Sequence, residues 1–188
     1  TAQDVLGFGG DIPVVSTVAE GLERQPTALL IGVAPQGGKL PDEWRAMILE
    51  AIDARLDVWS GLHTFIGADP EFALRAEKKK VEIHDLRRPP LDLPVAMGRV
   101  RKIDSTVVLT VGTDCNIGKM TSALQFRDGL TARGREVRFA GTGQTGILIE
   151  GWGTAVDAVV ADFIAGAAER LEEVVRLAPD DAKALPRD

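Results

Sequence analysis

A short apolar run that ends in a glycine-bounded loop constrains the fold of this chain more than any other feature. Residues 107–111 read Val-Val-Leu-Thr-Val, a pattern rich in β-branched side chains that favours a buried strand. The run breaks at Gly112 and passes through a polar loop to Gly118 and Lys119, where a helix is predicted over 118–133. This order places backbone N–H groups, the positive end of a helix and an ammonium group around one point. The sequence therefore predicts a phosphate-binding loop.

The loop departs in two places from the usual P-loop pattern, G-x-x-x-x-G-K-[ST]. Five residues rather than four separate the two glycines, and Met120 stands where a Mg²⁺-binding hydroxyl is usual, with Thr121 one place later. No later predicted strand ends in an acidic residue that could hold Mg²⁺. An ordinary glycine-rich turn that caps a helix is the structural alternative. The predicted phosphate ligands are Gly112, Thr113, Asn116, Gly118, Lys119, Met120 and Thr121.

Charge and cysteine content exclude several classes of protein. The 188 residues carry a net charge of −6, which argues against nucleic-acid binding. The single cysteine, Cys115, allows no internal disulfide, and no apolar run approaches the length that spans a membrane. We therefore expect a cytoplasmic homo-oligomer that acts on a small-molecule substrate, with no resident metal, no membrane and no nucleic-acid partner.

The first half of the chain alternates strands and helices at the spacing of a parallel sheet with crossover helices. Strands are predicted at 28–34, 56–59 and 81–86, and helices at 42–54 and 69–79. Because ligands bind at the carboxyl ends of such strands, Gln36-Gly37-Gly38 and Gly61-Leu62-His63 are expected on the ligand side. An earlier short helix, 17–24, is predicted with Ser16 as its N-cap.

A proline-rich stretch divides the chain. Residues 87–100, here called the linker segment, contain three prolines and favour an extended conformation. We place the domain boundary there, with one domain over 1–98 and a P-loop domain over 99–188. The fold class is therefore α/β, with the second sheet also parallel. Arg99 and Arg101 could face an interdomain cleft, although solvated arginines are the usual case.

A second glycine loop follows a predicted strand at 136–140. Residues 141–146 read Gly-Thr-Gly-Gln-Thr-Gly and are predicted to bind substrate, with a tight turn as the alternative. A final helix is predicted over 156–175, with Asp157 near the preceding loop and Asp162 on the polar face. The candidate substrate-binding residues are Thr142, Gly143, Gln144, Thr145, Gly146 and Asp157.

Three strings resemble a DUF-type P-loop family that carries a Rossmann-like N-terminal domain and includes D-glutamate N-acetyltransferases. They are G-T-D-C-N-I-G-K-M-T (112–121), F-A-G-T-G-Q-T-G-I (139–147) and V-D-A-V-V-A-D-F-I-A-G-A-A-E (156–169). Residues 31–38 and 56–63 are similar to that family's N-terminal domain. Met120 is usual in the family. Family members are longer at both ends, so we expect this chain to be part of a larger molecule.

The resemblance implies an acyltransferase that moves acetyl from acetyl-CoA to the amine of D-glutamate, with the loop holding CoA phosphates. Only a free amine attacks a thioester, so a base is needed, and Asp114 and His63 are the candidates. His84 alternates within a predicted strand, which indicates a structural role, and Cys115 has no obvious histidine partner for acyl-thiol catalysis.

Two other functions stay open at this stage. The longer loop is also similar to that of dethiobiotin synthetase, which implies an ATP-dependent ligase or kinase. Asp114 and Thr121 would then help to hold Mg²⁺. The third hypothesis is a non-catalytic module that binds a nucleotide or CoA.

Overall fold

The chain folds into two compact units in a computed structural model. The structure describes residues 1–33, 35, 37, 39–102 and 104–175, and of 172–175 the backbone alone. The N-terminal unit is Thr1–Asp85 and the C-terminal unit is Leu86–Asp188. Gln36 and Gly38, which the sequence assigned to the ligand side, lie outside the described residues. The predicted domain boundary after residue 98 stays a prediction.

A three-stranded parallel sheet forms the centre of the N-terminal unit, in the order β1-β2-β3. Strand β1 is Ala28–Ile31, β2 is Asp57–Ser60 and β3 is Ile83–Asp85. The register pairs Leu29 with Val58 and Val58 with Ile83, so that these apolar side chains lie in one row across the sheet. All three strands were predicted: 28–34 and 81–86 are longer than the observed strands, whereas 56–59 has the length of β2 but begins one residue early.

Two crossover helices cover one face of this sheet. Helix α3 is Trp44–Asp53 and helix α4 is Pro70–Lys79. Asp69 caps α4 by accepting the Glu71 N–H, and Pro70 fits the first turn because that turn needs no backbone donor. The core between helices and sheet consists of Ile48, Ile52, Val58, Leu62, Ile66, Phe72 and Ala76. Burying each larger side chain contributes about 1.5–3 kcal/mol, so this layer stabilises the unit.

The other face of the sheet is more open. Leu30, Trp59 and His84 lie in one row on this face, and Leu30 is 49% exposed. The His84 ring stacks on Trp59 with centroids 4.0 Å apart. This contact agrees with the structural role that the sequence predicted for His84.

Two short helices precede β1. Helix α1, Ala2–Leu6, was not predicted, and helix α2, Val18–Leu22, falls within the predicted 17–24. The predicted N-cap was wrong by one residue: the Thr17 hydroxyl accepts the Glu20 N–H, while the Ser16 N–H donates to the Glu20 carboxylate. Both residues can cap a helix, and only the backbone geometry selects between them.

The C-terminal unit is built mainly from three helices. Helix α5 is Lys119–Thr131, α6 is Gln144–Glu150 and α7 is Ala161–Val175. Two short 3₁₀ helices, Arg99–Lys102 and Val156–Ala158, lie before α5 and α7. Helix α5 confirms the helix predicted over 118–133, and Gly134 follows its end with a φ of 73°.

The two strands predicted in this unit are wrong in the part of the chain that the structure describes. Residues 107–111 and 136–140 have no ladder partner, and the parallel pairing seen there is a single bridge between Gly141 and Gly153. Leu109 is 77% exposed, and its neighbours Val107, Val108 and Val111 are exposed as well. A β-branched apolar run favours a strand, but a strand needs a neighbour to accept and donate its hydrogen bonds.

The glycine loop and the final helix also differ from expectation. Residues 144–146, predicted as loop, form the first turn of α6. The helix predicted over 156–175 is interrupted, because Val156–Ala158 is a 3₁₀ turn and α7 begins only at Ala161. Its predicted apolar stripe is divided: Val159, Ala167 and Leu171 are buried, whereas Val160, Phe163 and Ile164 are exposed. Among the described residues, no helix is long and apolar enough to cross a membrane.

Candidate functional site

The loop at 112–118 has the backbone geometry of an anion cradle. Asn116 has a φ of 57° and Gly118 a φ of 94°, so two left-handed residues turn the chain sharply before α5. A Cβ on Gly112 would displace the exposed end of the Ile117 side chain and lie 3.2 Å from the Lys119 stem. The left-handed conformations explain why glycine stands at 118 and a short polar residue at 116.

Helix α5 presents unsatisfied donors towards this loop. The N–H groups of Lys119, Met120 and Thr121 donate no backbone hydrogen bond within the described chain, and the first helical donor is Ser122, which binds the Gly118 carbonyl at 2.9 Å. Gly118 is the N-cap and supplies no side chain to satisfy them. Exposed donors at a helix N-terminus attract an anion.

The loop's own charged groups are turned inwards onto its backbone. The Lys119 ammonium donates to the Asp114 carbonyl, and the Asp114 carboxylate accepts the Cys115 N–H at 2.6 Å. Thr113, Cys115 and the rest of the loop are exposed. The lysine therefore lies over the loop, where an anion could replace the carbonyl as its partner.

The second glycine loop is shaped by close backbone packing. A Cβ on Gly141 would lie 2.6 Å from the Ile147 nitrogen, and one on Gly146 would lie 3.1 Å from the Phe139 ring. Gly153, with a φ of 144°, would place a Cβ 2.8 Å from the Gly141 carbonyl carbon. Thr142 and Thr145 are exposed, while Gly143 and Gln144 are half-buried. The glycines at 141 and 146 thus have a packing explanation that needs no ligand.

Asp157 lies beside this second loop. The Val156 N–H donates to the Thr142 carbonyl at 3.2 Å, and the Asp157 carboxylate forms an ion pair with the buried guanidinium of Arg87. Thr142 and Asp157 are thereby brought together. Within the described residues, no hydrogen bond or ion pair joins residues 141–146 to the loop at 112–118.

His63 belongs to the N-terminal unit, in the loop that follows β2. Asp85, the last residue of β3, holds that loop in place, because its carboxylate accepts the Ile66 and Gly67 N–H groups at 2.8 and 3.0 Å. The side chain of His63 is exposed. This is the ligand edge that the strand order predicted, because the loop leaves the carboxyl end of a parallel strand.

Glu169 is an organising residue that the sequence analysis did not find. Its carboxylate on α7 is 3% exposed and accepts the N–H groups of Met97, Arg99 and Val100 from the linker segment. These donors, with Met97 first, hold the pKa of Glu169 below its ordinary value of 4.5. No local signal could have revealed this, since Met97 lies 72 residues earlier in the chain.

The linker segment therefore has contacts in the C-terminal unit. Besides Glu169, the Arg170 guanidinium binds Asp92 at 2.8 Å, and a Cβ on Gly166 would collide with the Pro94 carbonyl. Arg99, expected as a solvated arginine, donates its Nε–H to Glu169 at 3.3 Å. In the described part of the chain, no cluster of histidine, cysteine and acidic residues could hold a metal ion.

Two family models match successive parts of the chain. The one described as "Domain of unknown function (DUF1611_N) Rossmann-like domain" matches residues 1–89. The one described as "Domain of unknown function (DUF1611_C) P-loop domain" matches residues 94–184.

Two relatives carry the same name, D-glutamate N-acetyltransferase. The protein from Tritonibacter scottomollicae is 42% identical over 166 residues, which cover 88% of this chain and 49% of the relative. The protein from a Pseudoalteromonas species is 37% identical over 155 residues, which cover 82% of this chain and 46% of the relative. The chain spans about half the length of these relatives.

A crystal structure of a DUF1611 family protein from Anabaena variabilis has a similar fold. It superposes with a TM-score of 0.84 at 38% sequence identity, covering 90% of this chain and 49% of that protein.

Proposed function

Because the chain belongs to the DUF1611 family, we propose that it acts as an N-acetyltransferase, moving acetyl from acetyl-CoA to the amine of D-glutamate. The name shared by the two relatives supports this acceptor and this reaction. The family also confirms the predicted fold class, a Rossmann-like domain followed by a P-loop domain.

The geometry of the phosphate-binding loop is the observation that carries the proposal. The α5 N-terminus offers unsatisfied N–H donors, and Lys119 lies directly over the loop. CoA carries a diphosphate and a 3′-phosphate, and a P-loop binds such groups without hydrolysing them. The loop would hold the acetyl donor by its phosphates, with its thioester presented elsewhere.

The proposed reaction needs a base and no metal. A carboxylate or imidazole removes a proton from the D-glutamate ammonium, and the free amine attacks the thioester carbonyl. The carbon–sulfur bond breaks, the CoA thiolate leaves and takes up a proton, and the amide remains on D-glutamate. His63 and Asp114 are the proposed bases. The Asp114 carboxylate accepts the Cys115 N–H, and the imidazole of His63 is exposed in the loop that follows β2.

The first test is thiol release from acetyl-CoA by the full-length protein, followed with a thiol reagent. We expect release only when D-glutamate is present, and formation of the N-acetyl product by mass spectrometry. Thiol release that does not depend on D-glutamate would contradict the proposed acceptor.

The second test removes the loop cation. Lys119→Ala should weaken CoA binding by about 10- to 100-fold in calorimetry, since a charge-assisted hydrogen bond is lost. Lys102→Ala, which changes an exposed lysine of the same unit, should not alter the affinity. Unchanged affinity in Lys119→Ala would rule out the loop as the CoA site. Tight Mg²⁺-dependent ATP binding without CoA binding would instead favour the ligase or kinase hypothesis.

A further inference from the structure

A pocket of about 300 Å³ lies within the N-terminal unit, at the ligand edge of its sheet. The loop after β1 contributes Lys39 and Asp42 to its lining, and the loop after β2 contributes Thr64. Its floor includes the fully buried side chains of Ile66 and Phe72. This volume is at the small end of the range for ligand sites and suits a compact metabolite.

One wall of the pocket is cross-linked by ion pairs and a ring contact. The Arg45 guanidinium donates to Asp69 at 2.6 and 3.2 Å and to Glu71 at 2.6 Å, and it stacks over the Phe72 ring at 4.4 Å. The hydrogen bond from Arg45 holds the pKa of Asp69 below its ordinary value, so this wall keeps its charges at neutral pH. A site with a fixed wall loses little freedom when a ligand binds.

Two opposite charges on the pocket remain available to a ligand. Neither Lys39 nor Asp42 forms an ion pair or side-chain hydrogen bond with any residue that the structure describes, and both side chains are exposed. The other charged lining residues, Arg45 and Asp69, are already paired with each other. Among the described residues, the pocket lining therefore offers one cation and one anion without a charged partner, beside the apolar side chains of Ile66 and Phe72.

We propose that this pocket is the acceptor site, and that it binds the zwitterionic amino acid whose amine is acetylated. Lys39 binds a carboxylate of the amino acid, Asp42 binds its ammonium group, and the apolar floor contacts its methylene carbons. The inference rests on the proposed function, since it assigns one substrate of that reaction to a particular site. His63 directly precedes Thr64 of the pocket lining, which places the proposed base on the same loop as this site.

The test compares substitutions in the pocket with matched substitutions elsewhere in the full-length protein. Lys39→Met and Asp42→Asn should each raise KM and Kd for D-glutamate by roughly 10-fold or more, because each removes a charge-assisted contact. KM for acetyl-CoA should stay within about twofold, since a loop in the other unit is proposed to hold it. Lys78→Met and Asp11→Asn change exposed residues of the same unit and should leave all of these constants unchanged.

Direct binding of D-glutamate, measured by calorimetry without acetyl-CoA, separates this inference from the proposed function. If D-glutamate binding depends on Lys39 but no acetyl transfer occurs, the pocket assignment is supported and the proposed reaction is refuted. If Lys39→Met and Asp42→Asn still transfer acetyl with unchanged KM and Kd for D-glutamate, the proposed reaction stands and the pocket assignment is refuted. The pocket assignment would also be overturned if Lys39→Met weakened the binding of acetyl-CoA and left the binding of D-glutamate unchanged. Thermal unfolding of each variant checks folding, which exposed positions are not expected to disturb.

Discussion

The two units are stabilised by different kinds of contact. In the N-terminal unit, large apolar side chains of α3 and α4 pack on one face of a parallel sheet. In the C-terminal unit, glycines allow backbone segments to approach each other, and a buried carboxylate accepts the N–H groups of the linker segment. Its apolar run at 107–111 stays exposed. Side-chain packing is thus prominent in one unit, and backbone approach and hydrogen bonding are prominent in the other.

The largest expected effect tests side-chain packing in the N-terminal unit. Phe72 is fully buried beneath Arg45, so Phe72→Ala should lower the free energy of unfolding by about 3–5 kcal/mol. Leu74→Ala, on the exposed face of the same helix, is the control. Leu109→Ala, in the exposed run of the other unit, should change stability by no more than about 0.5 kcal/mol. A large loss in Leu109→Ala by urea unfolding would remove the contrast between the units.

The second prediction tests backbone approach in the C-terminal unit. Gly166 lies in α7, where alanine would normally be favoured by about 1 kcal/mol, but a Cβ would collide with the Pro94 carbonyl. We expect Gly166→Ala to destabilise the chain by about 1–3 kcal/mol. Gly129→Ala in α5 is the matched control, since its Cβ would lie 3.4 Å from the flexible end of Arg133, and it should stabilise slightly. Equal effects of the two substitutions would mean that the linker segment does not pack on α7.

The third prediction concerns the pH dependence that Glu169 confers. Its folded-state pKa lies below the unfolded value, so the ionised carboxylate stabilises the fold above the ordinary pKa of 4.5. That stabilisation is lost as pH falls through the lowered folded pKa. Glu169→Gln should lower the thermal midpoint at pH 7 by roughly 4–8 °C and flatten its dependence on pH below the ordinary pKa.

Glu136→Gln, at an exposed position of the same unit, serves as the control for that experiment. Its thermal midpoint should follow the wild-type curve across the acidic range. A Glu169→Gln variant that retained the full pH dependence of the wild type would assign the acid sensitivity to other carboxylates.

The smallest expected effect is at the surface of the N-terminal unit. Asp53 at the end of α3 pairs with Arg75 at 2.7 Å and Lys79 at 3.3 Å on α4, and the hydrogen bond from Arg75 lowers its pKa. Because these groups are well solvated, Asp53→Asn should lower the thermal midpoint by only about 1–5 °C. The difference from wild type should shrink in about 1 M salt, where exposed charges are screened. A difference that persists in salt would indicate that the pair stabilises by packing.

Local sequence was sufficient to predict secondary structure where the apolar residues of the pattern are buried in the fold. The three strands of the N-terminal unit, its helices α2, α3 and α4, and the start of α5 were predicted to within a few residues from periodicity, caps and turn residues, whereas α1 was not. The same patterns were misleading at 107–111 and 136–140, because a strand exists only when a second strand accepts its hydrogen bonds. Helix α6 was missed because the glycines of 141–146 indicate a turn. Only the tertiary packing, of Gly146 on Phe139 and of Gly141 on Gly153, shows why these positions are glycines.

The sequence by itself predicted the glycine-bounded loop before α5, the order of strands and helices in the N-terminal unit, and the loops at the carboxyl ends of its strands. Each of these depends on residues that are close together in the chain. Tertiary structure alone decided that Arg87 pairs with Asp157, that Glu169 anchors the linker segment, and that Lys39 and Asp42 share a pocket with Phe72. Most of these contacts join residues far apart in sequence, so their energies depend on the fold and leave no local pattern to read.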